Sequence, residues 1–350
     1  MLKRIIVMLI IILPFISCIK DESDDVPQPV QALYVVNSLA ETISVIDLET
    51  GEVFNDVFLT GITPAEIKYH DDYLYIVNSG DNTLQRIQGG GAWTEFIELG
   101  PYRNPAFMEF IGGDSLAILN FQSGTMTLVD YQQGVVLDEI PVGLGPWGMT
   151  YHEGKIYIGV SNLDMVSFVY GQGRVAKINA ATFTLEDSLD VGVNPGILFV
   201  DSQGELNVIC IGDYWSSFGE IWRVNLTSFE PIGSPQFVGG SPGYEAVDAE
   251  GNVYLGAGGW SGEGAVVLKY NCISEQIIND AENPILLQDE IGASGLTVDS
   301  EGNVYVCCLY SDHIVKINPE GEILETFPLP DGWGPERVLL LDTRIDVEEF

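Results

Sequence analysis

Residues 32–53 read ALYVVNSLAETISVIDLETGEV: an apolar strand, a short polar loop, a second strand and a Gly-containing turn. Tyr34-Val35-Val36 and the alternation in Thr42-Ile43-Ser44-Val45-Ile46 favour extended backbone, because aromatic and β-branched side chains fit a pleated surface. Asn37-Ser38 and Glu49-Thr50-Gly51 supply the turn chemistry around them. The rest of the chain repeats this pattern.

Strands like ALYVVNS begin at residues 32, 73, 115, 155, 205, 252 and 303, at spacings of 41, 42, 40, 50, 47 and 51. A period in the forties made of short strands specifies four-stranded propeller blades. A partner strand follows each one: TISVID (42), TLQRIQ (83), TMTLVD (125), RVAKIN (174), EIWRVN (220), VVLKYN (266) and HIVKIN (313). Units two to seven are each preceded by a further strand introduced by Gly or Pro, such as ITPAEIKYH (62), GPWGMTYH (145) and SPGYEAVD (241). ASGLTVDS (293) belongs to the series but lacks the Pro. The first unit has no such strand, and the chain ends with a spare one, GPERVLLLD (334–342). The expected fold is therefore an all-β, seven-bladed β-propeller over residues 31–342, with four antiparallel strands per blade. The C-terminal strand completes blade 1, and residues 343–350 form a tail. Closure removes the exposed edges of an open sheet.

The residues YVVNSxxxTISVIDLETG resemble the YVTN or YncE-like seven-bladed propeller family over about residues 31–342. That resemblance implies the fold and leaves the activity open, since propellers host many functions.

The chain has 350 residues, 46% of them hydrophobic, enough for a large core. Its formal net charge is -37, which disfavours nucleic acid and anionic membrane surfaces as partners. Residues 1–17 carry Lys3 and Arg4 ahead of a short apolar run and read as a signal peptide. Phe15-Ile16-Ser17-Cys18 resembles a bacterial lipobox, which implies lipidation of Cys18. The acidic segment IKDESDD (19–25) resembles the surface-export signal of outer-membrane lipoproteins, and residues 18–30 read as a lipidated tether. The expected location is the outer membrane, lipid-anchored and exposed on the cell surface. Cys210, Cys272, Cys307 and Cys308 show no metal-ligand spacing and are expected as buried thiols.

One face of the propeller carries short turns such as HDD (70–72) and SEG (300–302). The other face carries the loops entering the inner strands and those following the ALYVVNS-type strands. These loops swell in blades 4 to 6 to SNLDMVSFVYGQG (161–173), GDYWSSFGE (212–220) and GAGGWSGEG (256–264). Insertions concentrated on one face of a repeat protein mark a binding face. Four of the six tryptophans map there, Trp147, Trp215, Trp260 and Trp333. Tyr102, Phe121, Phe168, Tyr170, Tyr214, Phe218, Tyr244 and Tyr310 join them, with Arg103, Arg174 and Arg337. Rigid aromatics with scattered polar groups suit a large, flat or amphipathic ligand.

No catalytic constellation is legible. The three histidines, His70, His152 and His313, stand apart, and HExxH is missing. Glu66, Glu245 and Glu336 are weak candidates for a metal at the channel mouth. No cofactor is expected. The propeller, lipobox, export signal and aromatic face together resemble the BtuG-type corrinoid-capture proteins. That resemblance implies cobalamin or cobinamide as ligand and a TonB-dependent outer-membrane transporter as partner. A glycan-binding propeller and a metal-dependent hydrolase or lyase are the alternatives.

Overall fold

Leu33 and Val35 pack with Tyr305, Cys307 and Ile314 of the last blade, while Tyr34 and Val36 pack with Ile67, Leu74 and Ile76 of the second. The two-residue period of a strand sends alternate side chains into opposite neighbours. In the computed structural model, which describes residues 31–88, 93–258 and 264–341, this arrangement repeats around a ring of seven blades. Seven apolar clusters fill the seven seams between neighbouring blades. Tyr34, Tyr75, Tyr254 and Tyr305 are fully buried there. Each such side chain contributes about 1.5–3 kcal/mol of transfer free energy.

Every sheet is antiparallel. The chain ends meet in blade 1, where Ala32–Asn37 pairs with Thr42–Asp47 on one side and with Pro335–Leu341 on the other. The closing register sets Ala32 opposite Leu341, Tyr34 opposite Leu339 and Val36 opposite Arg337. The last strand thus supplies the inner strand that the first unit lacks, as expected from the repeat count. The expected termini of the fold, the signal peptide and tether (1–30) and the tail (343–350), lie outside the described residues.

The Asn and the Thr five residues on, shared by blades 1 to 3, have a physical meaning. Asn37 Nδ2 donates to Thr42 Oγ1 at 3.1 Å and Ser44 Oγ at 2.8 Å. Asn78 and Asn120 make the same bridge to Thr83 and to Thr125 and Thr127. Each buried amide ties one strand end to the start of the next, so the loop between them stays short. The residue before each third strand, Glu41, Asn82 or Gly124, is left-handed (φ 59°, 59° and 67°). Gly124 is required there, because a Cβ would lie 2.4 Å from the Gly143 carbonyl oxygen. Blades 4 to 6 replace the Asn with Val160, Cys210 and Ala257, and these are the blades with long loops.

Upper-face insertions are not the only source of extra length. In blades 5 and 6 the outer strand breaks into two pieces, Glu230–Pro231 with Gln236–Phe237 and Gln276–Asn279 with Ile285–Leu286. Pro235 and Pro284 stand in the breaks, where a residue without an N–H cannot continue the ladder.

Candidate ligand-binding mouth and axial channel

Most inner strands open on a β-bulge at their first residues, for example between Pro64 and Glu66, Pro105 and Phe107, and Pro195 and Ile197. The extra residue re-aims the side chain that follows. Glu66, Phe107, Tyr244 and Arg337 all stand two residues after the introductory Pro, in blade 6 without a bulge, and line a central cavity of about 300 Å3, with Gly148, Ile197 and Gly295 completing the ring.

Arg337 dominates the ring. Its guanidinium lies 4.1 Å from the Tyr244 ring centroid and 5.1 Å from that of Phe107. It pairs with Glu66 at 3.4 Å and donates from Nε to the Ala65 carbonyl at 2.9 Å. Burial opposes its charge, but Glu66, Tyr244, Glu336 and Glu245 together more than offset this and raise its pKa. Below it Lys68 pairs with Glu109. Glu245 faces the same channel from the position where the other blades carry Ile67, Met108, Met149, Leu198, Leu296 and Val338. Desolvation pushes its carboxyl up to about 7, with Arg337 opposing and Glu66 adding to the shift.

Above the ring lies the mouth, a pocket of about 260 Å3 walled by Phe121, Trp147, Tyr170, Tyr214 and Tyr244. Trp147 meets Phe121 and Phe107 edge-to-face, at 5.5 and 5.0 Å between centroids. Tyr170 and Tyr214, from the two longest described insertions, pack together at 6.3 Å. Burial raises the Tyr170 phenol, and pushes that of Tyr214 up to about 12. Tyr244 donates to Glu336 Oε1 at 3.2 Å on the pocket floor. Asn194 and Ser241 add polar edges.

A groove of about 760 Å3 continues outward between blades 5 and 6. It shares Tyr214, Ser241 and Ala257 with the mouth and adds Trp215, Phe218, Val266 and Leu286. The loops of this face are held by carboxylates. The Ser216 hydroxyl donates to Asp213 Oδ2 and the backbone N–H groups of Trp215, Ser216 and Ser217 donate to Oδ1, which together hold its carboxyl well below the ordinary range. Asp164 does the same for Val166 and Ser167. Each turn raises a large side chain into solvent, Trp215 at 88% exposure and Phe168 at 73%.

The structure gathers part of the expected set. Trp147, Tyr170, Tyr214 and Tyr244 share the mouth, Trp215 borders the groove and Arg337 lies in the channel beneath. Phe168, Tyr102 and Tyr310 are exposed on the same face, outside both cavities. Arg103 does not face a ligand site, because Glu139 of the same blade's outer strand holds it at 2.7 Å. Trp333 serves closure: its carbonyl accepts from Leu39 and Ala40 N–H. Arg174 donates to the Val142 carbonyl. Trp260 and Cys18 lie outside the described residues.

The three glutamates do not converge. Glu66 faces Arg337, Glu336 sits above it beneath the mouth, and Glu245 lies along the channel wall. Among the described residues no three His, Cys, Asp or Glu side chains gather to hold a metal ion. His70 stacks on Phe110 and contacts the Tyr131 hydroxyl, and His313 meets Glu290 at 2.9 Å. Cys210, Cys272, Cys307 and Cys308 are buried free thiols. Phe107, Lys68, Glu109 and Asn194 were not singled out by sequence. Aligning the units on the introductory Pro would have found the first three, two and four residues after it.

No family profile matches the chain, and no curated protein matches it in sequence. Solved structures share its fold. A putative 6-phosphogluconolactonase from Bacteroides uniformis superposes with a TM-score of 0.66 at 12% identity, covering 90% of this chain and all (100%) of that one. A quinoprotein alcohol dehydrogenase-like protein from Bacteroides thetaiotaomicron gives 0.61 at 14% identity, covering 89% and 78%. Virginiamycin B lyase from Staphylococcus aureus gives 0.58 at 12% identity, covering 80% and 92%. At these identities the likeness is one of fold.

Proposed function

We propose that this propeller captures a large, flat, amphipathic ligand on its upper face, and that the ligand is a corrinoid. The observation that carries the reading is the continuity of the mouth with the groove between blades 5 and 6 through Tyr214, Ser241 and Ala257. Together they form an elongated, mainly aromatic and aliphatic depression with polar edges, the composition of a small-molecule site. The loops that build it are insertions on the shared scaffold, fixed in place by Asp164 and Asp213. The lipobox-like Cys18 and the acidic tether support placement on the outer-membrane surface, with hand-off to a TonB-dependent transporter.

The test is direct. Full-length protein in mild detergent is mixed with cyanocobalamin, desalted, and read for retained visible absorbance, with titration calorimetry in parallel. Stoichiometric retention is expected. A colourless eluate with no heat of binding overturns the corrinoid reading.

Glycan capture is the second reading, favoured by the 88%, 73% and 76% exposure of Trp215, Phe168 and Tyr102. Exposed flat rings suit the apolar faces of sugars. Retardation in gels containing soluble polysaccharides, with no corrinoid retained, would select it.

A further inference from the structure

The mouth combines two features that act on the same kind of guest. Its walls are the rings of Phe121, Trp147, Tyr170, Tyr214 and Tyr244, and its floor carries the Glu336 carboxylate. Aromatic faces carry negative quadrupole charge and attract cations, most strongly where water is excluded. A carboxylate beneath them adds a full negative charge.

The neighbouring charges favour the same guest. Arg337 pairs with Glu66 and Lys68 with Glu109, so both axial cations have carboxylate partners. Glu336 faces the neutral hydroxyl of Tyr244. The field of Arg337 reaches Glu336 as well, and the Glu245 carboxyl, raised to about 7, carries only part of a charge at neutral pH. The axis therefore holds more carboxylates than bases, within a chain of net charge -37 that concentrates cations near its surface.

We infer that the mouth is an aromatic cage for an organic cation, a methylated ammonium or the cationic portion of a larger ligand, with Glu336 as counter-charge. The inference rests on the reading of the upper face as a ligand-binding surface and adds the charge of the group that enters deepest. Its room, about 260 Å3, accommodates a trimethylammonium head. Trp147, Tyr170 and Tyr214 would surround the head, and the longer part of a ligand would leave along the groove.

The experiment uses a charge pair of equal shape. Choline and its neutral isostere 3,3-dimethylbutan-1-ol are titrated against the full-length protein, with tryptophan fluorescence and calorimetry as readouts. Choline is expected to bind at least tenfold more tightly than the isostere. Glu336→Gln is expected to reduce that preference severalfold, Glu336→Asp to keep it, and Tyr214→Ala to weaken both. Circular dichroism confirms that each variant is folded. Equal affinity for the two probes, no choline binding, or an unchanged preference in folded Glu336→Gln overturns the inference. A cyanocobalamin arm separates the two proposals: choline binding without corrinoid retention removes the corrinoid reading alone. Corrinoid retention without charge preference removes the cation cage alone.

Discussion

The guanidinium of Arg337 sits 4.1 Å from the centroid of the Tyr244 ring, joining the strand that closes the propeller to the inner strand of blade 6. Glu66 of blade 2 and Phe107 of blade 3 complete its surroundings. One side chain thus links four inner strands across the axis.

Removing it should be costly. Arg337→Met leaves Glu66 facing the axis without its cation, and loss of one partner of a buried pair costs about 3–5 kcal/mol. Both members of the pair are largely buried, at 12% and 15% side-chain exposure. Denaturant unfolding should show this loss, and Arg337→Met/Glu66→Gln should recover much of it. A double variant no better than the single one would show that the ring contacts, not the charge pair, dominate.

Glu245 makes stability depend on pH in a known direction. Its carboxyl is raised from 4.5 to about 7 by desolvation. Between those values the folded chain keeps a proton that the unfolded chain has lost, so stability falls as pH rises through this window. Glu245→Gln should flatten that slope and be more stable than wild type at pH 8, by on the order of 2 kcal/mol. Parallel stability curves for the two proteins between pH 5 and pH 8 would contradict it.

The repeated asparagines should not be equivalent. Asn78 bridges to Thr83 and also accepts from the Gly61 N–H, whereas the side-chain oxygens of Asn37 and Asn120 have no partner. Asn78→Ala removes the bridge to Thr83 and one of the two acceptors of the Gly61 N–H, Gln85 Oε1 being the other, and should cost about 1 kcal/mol, more than Asn37→Ala. Thermal unfolding of the two variants side by side gives the ranking.

The fold was legible because repetition is a strong signal. Seven copies of one pattern fix strand order, and the missing first inner strand points to residues 334–342 as its replacement. The site was legible only as a face. Trp147, Tyr214 and Tyr244 belong to one pocket, but nothing in their spacing separates them from Arg103, which Glu139 neutralises from 36 residues away. Burial across several blades is invisible to a reading along the chain. The bulge after Pro64 shows why. It determines that Glu66 faces Arg337 while Ile67, one residue on, enters the seam between blades.

Ligand capture should depend on Trp147 more than on any exposed ring. Its Ala variant removes a wall that also braces Phe107 and Phe121, and loss of such an anchor costs about 2 kcal/mol or more in affinity. Trp215→Ala should weaken binding less, since that ring is mostly in solvent. Calorimetry with cyanocobalamin tests the order, and equal or reversed losses would move the site outward to the groove.

Pairing of Ala32 with Leu341 sets an order in time as well as in space. Glu336 and Arg337 arrive on the last of the described strands, so neither the floor of the mouth nor the axial cation is in place until that strand has been made and has paired with Ala32–Asn37. A truncated or still-threading molecule would have its tryptophans but no finished cage. The joint that seals the ring thereby also finishes the mouth: the strand that pairs with Ala32–Asn37 is the one that delivers its floor.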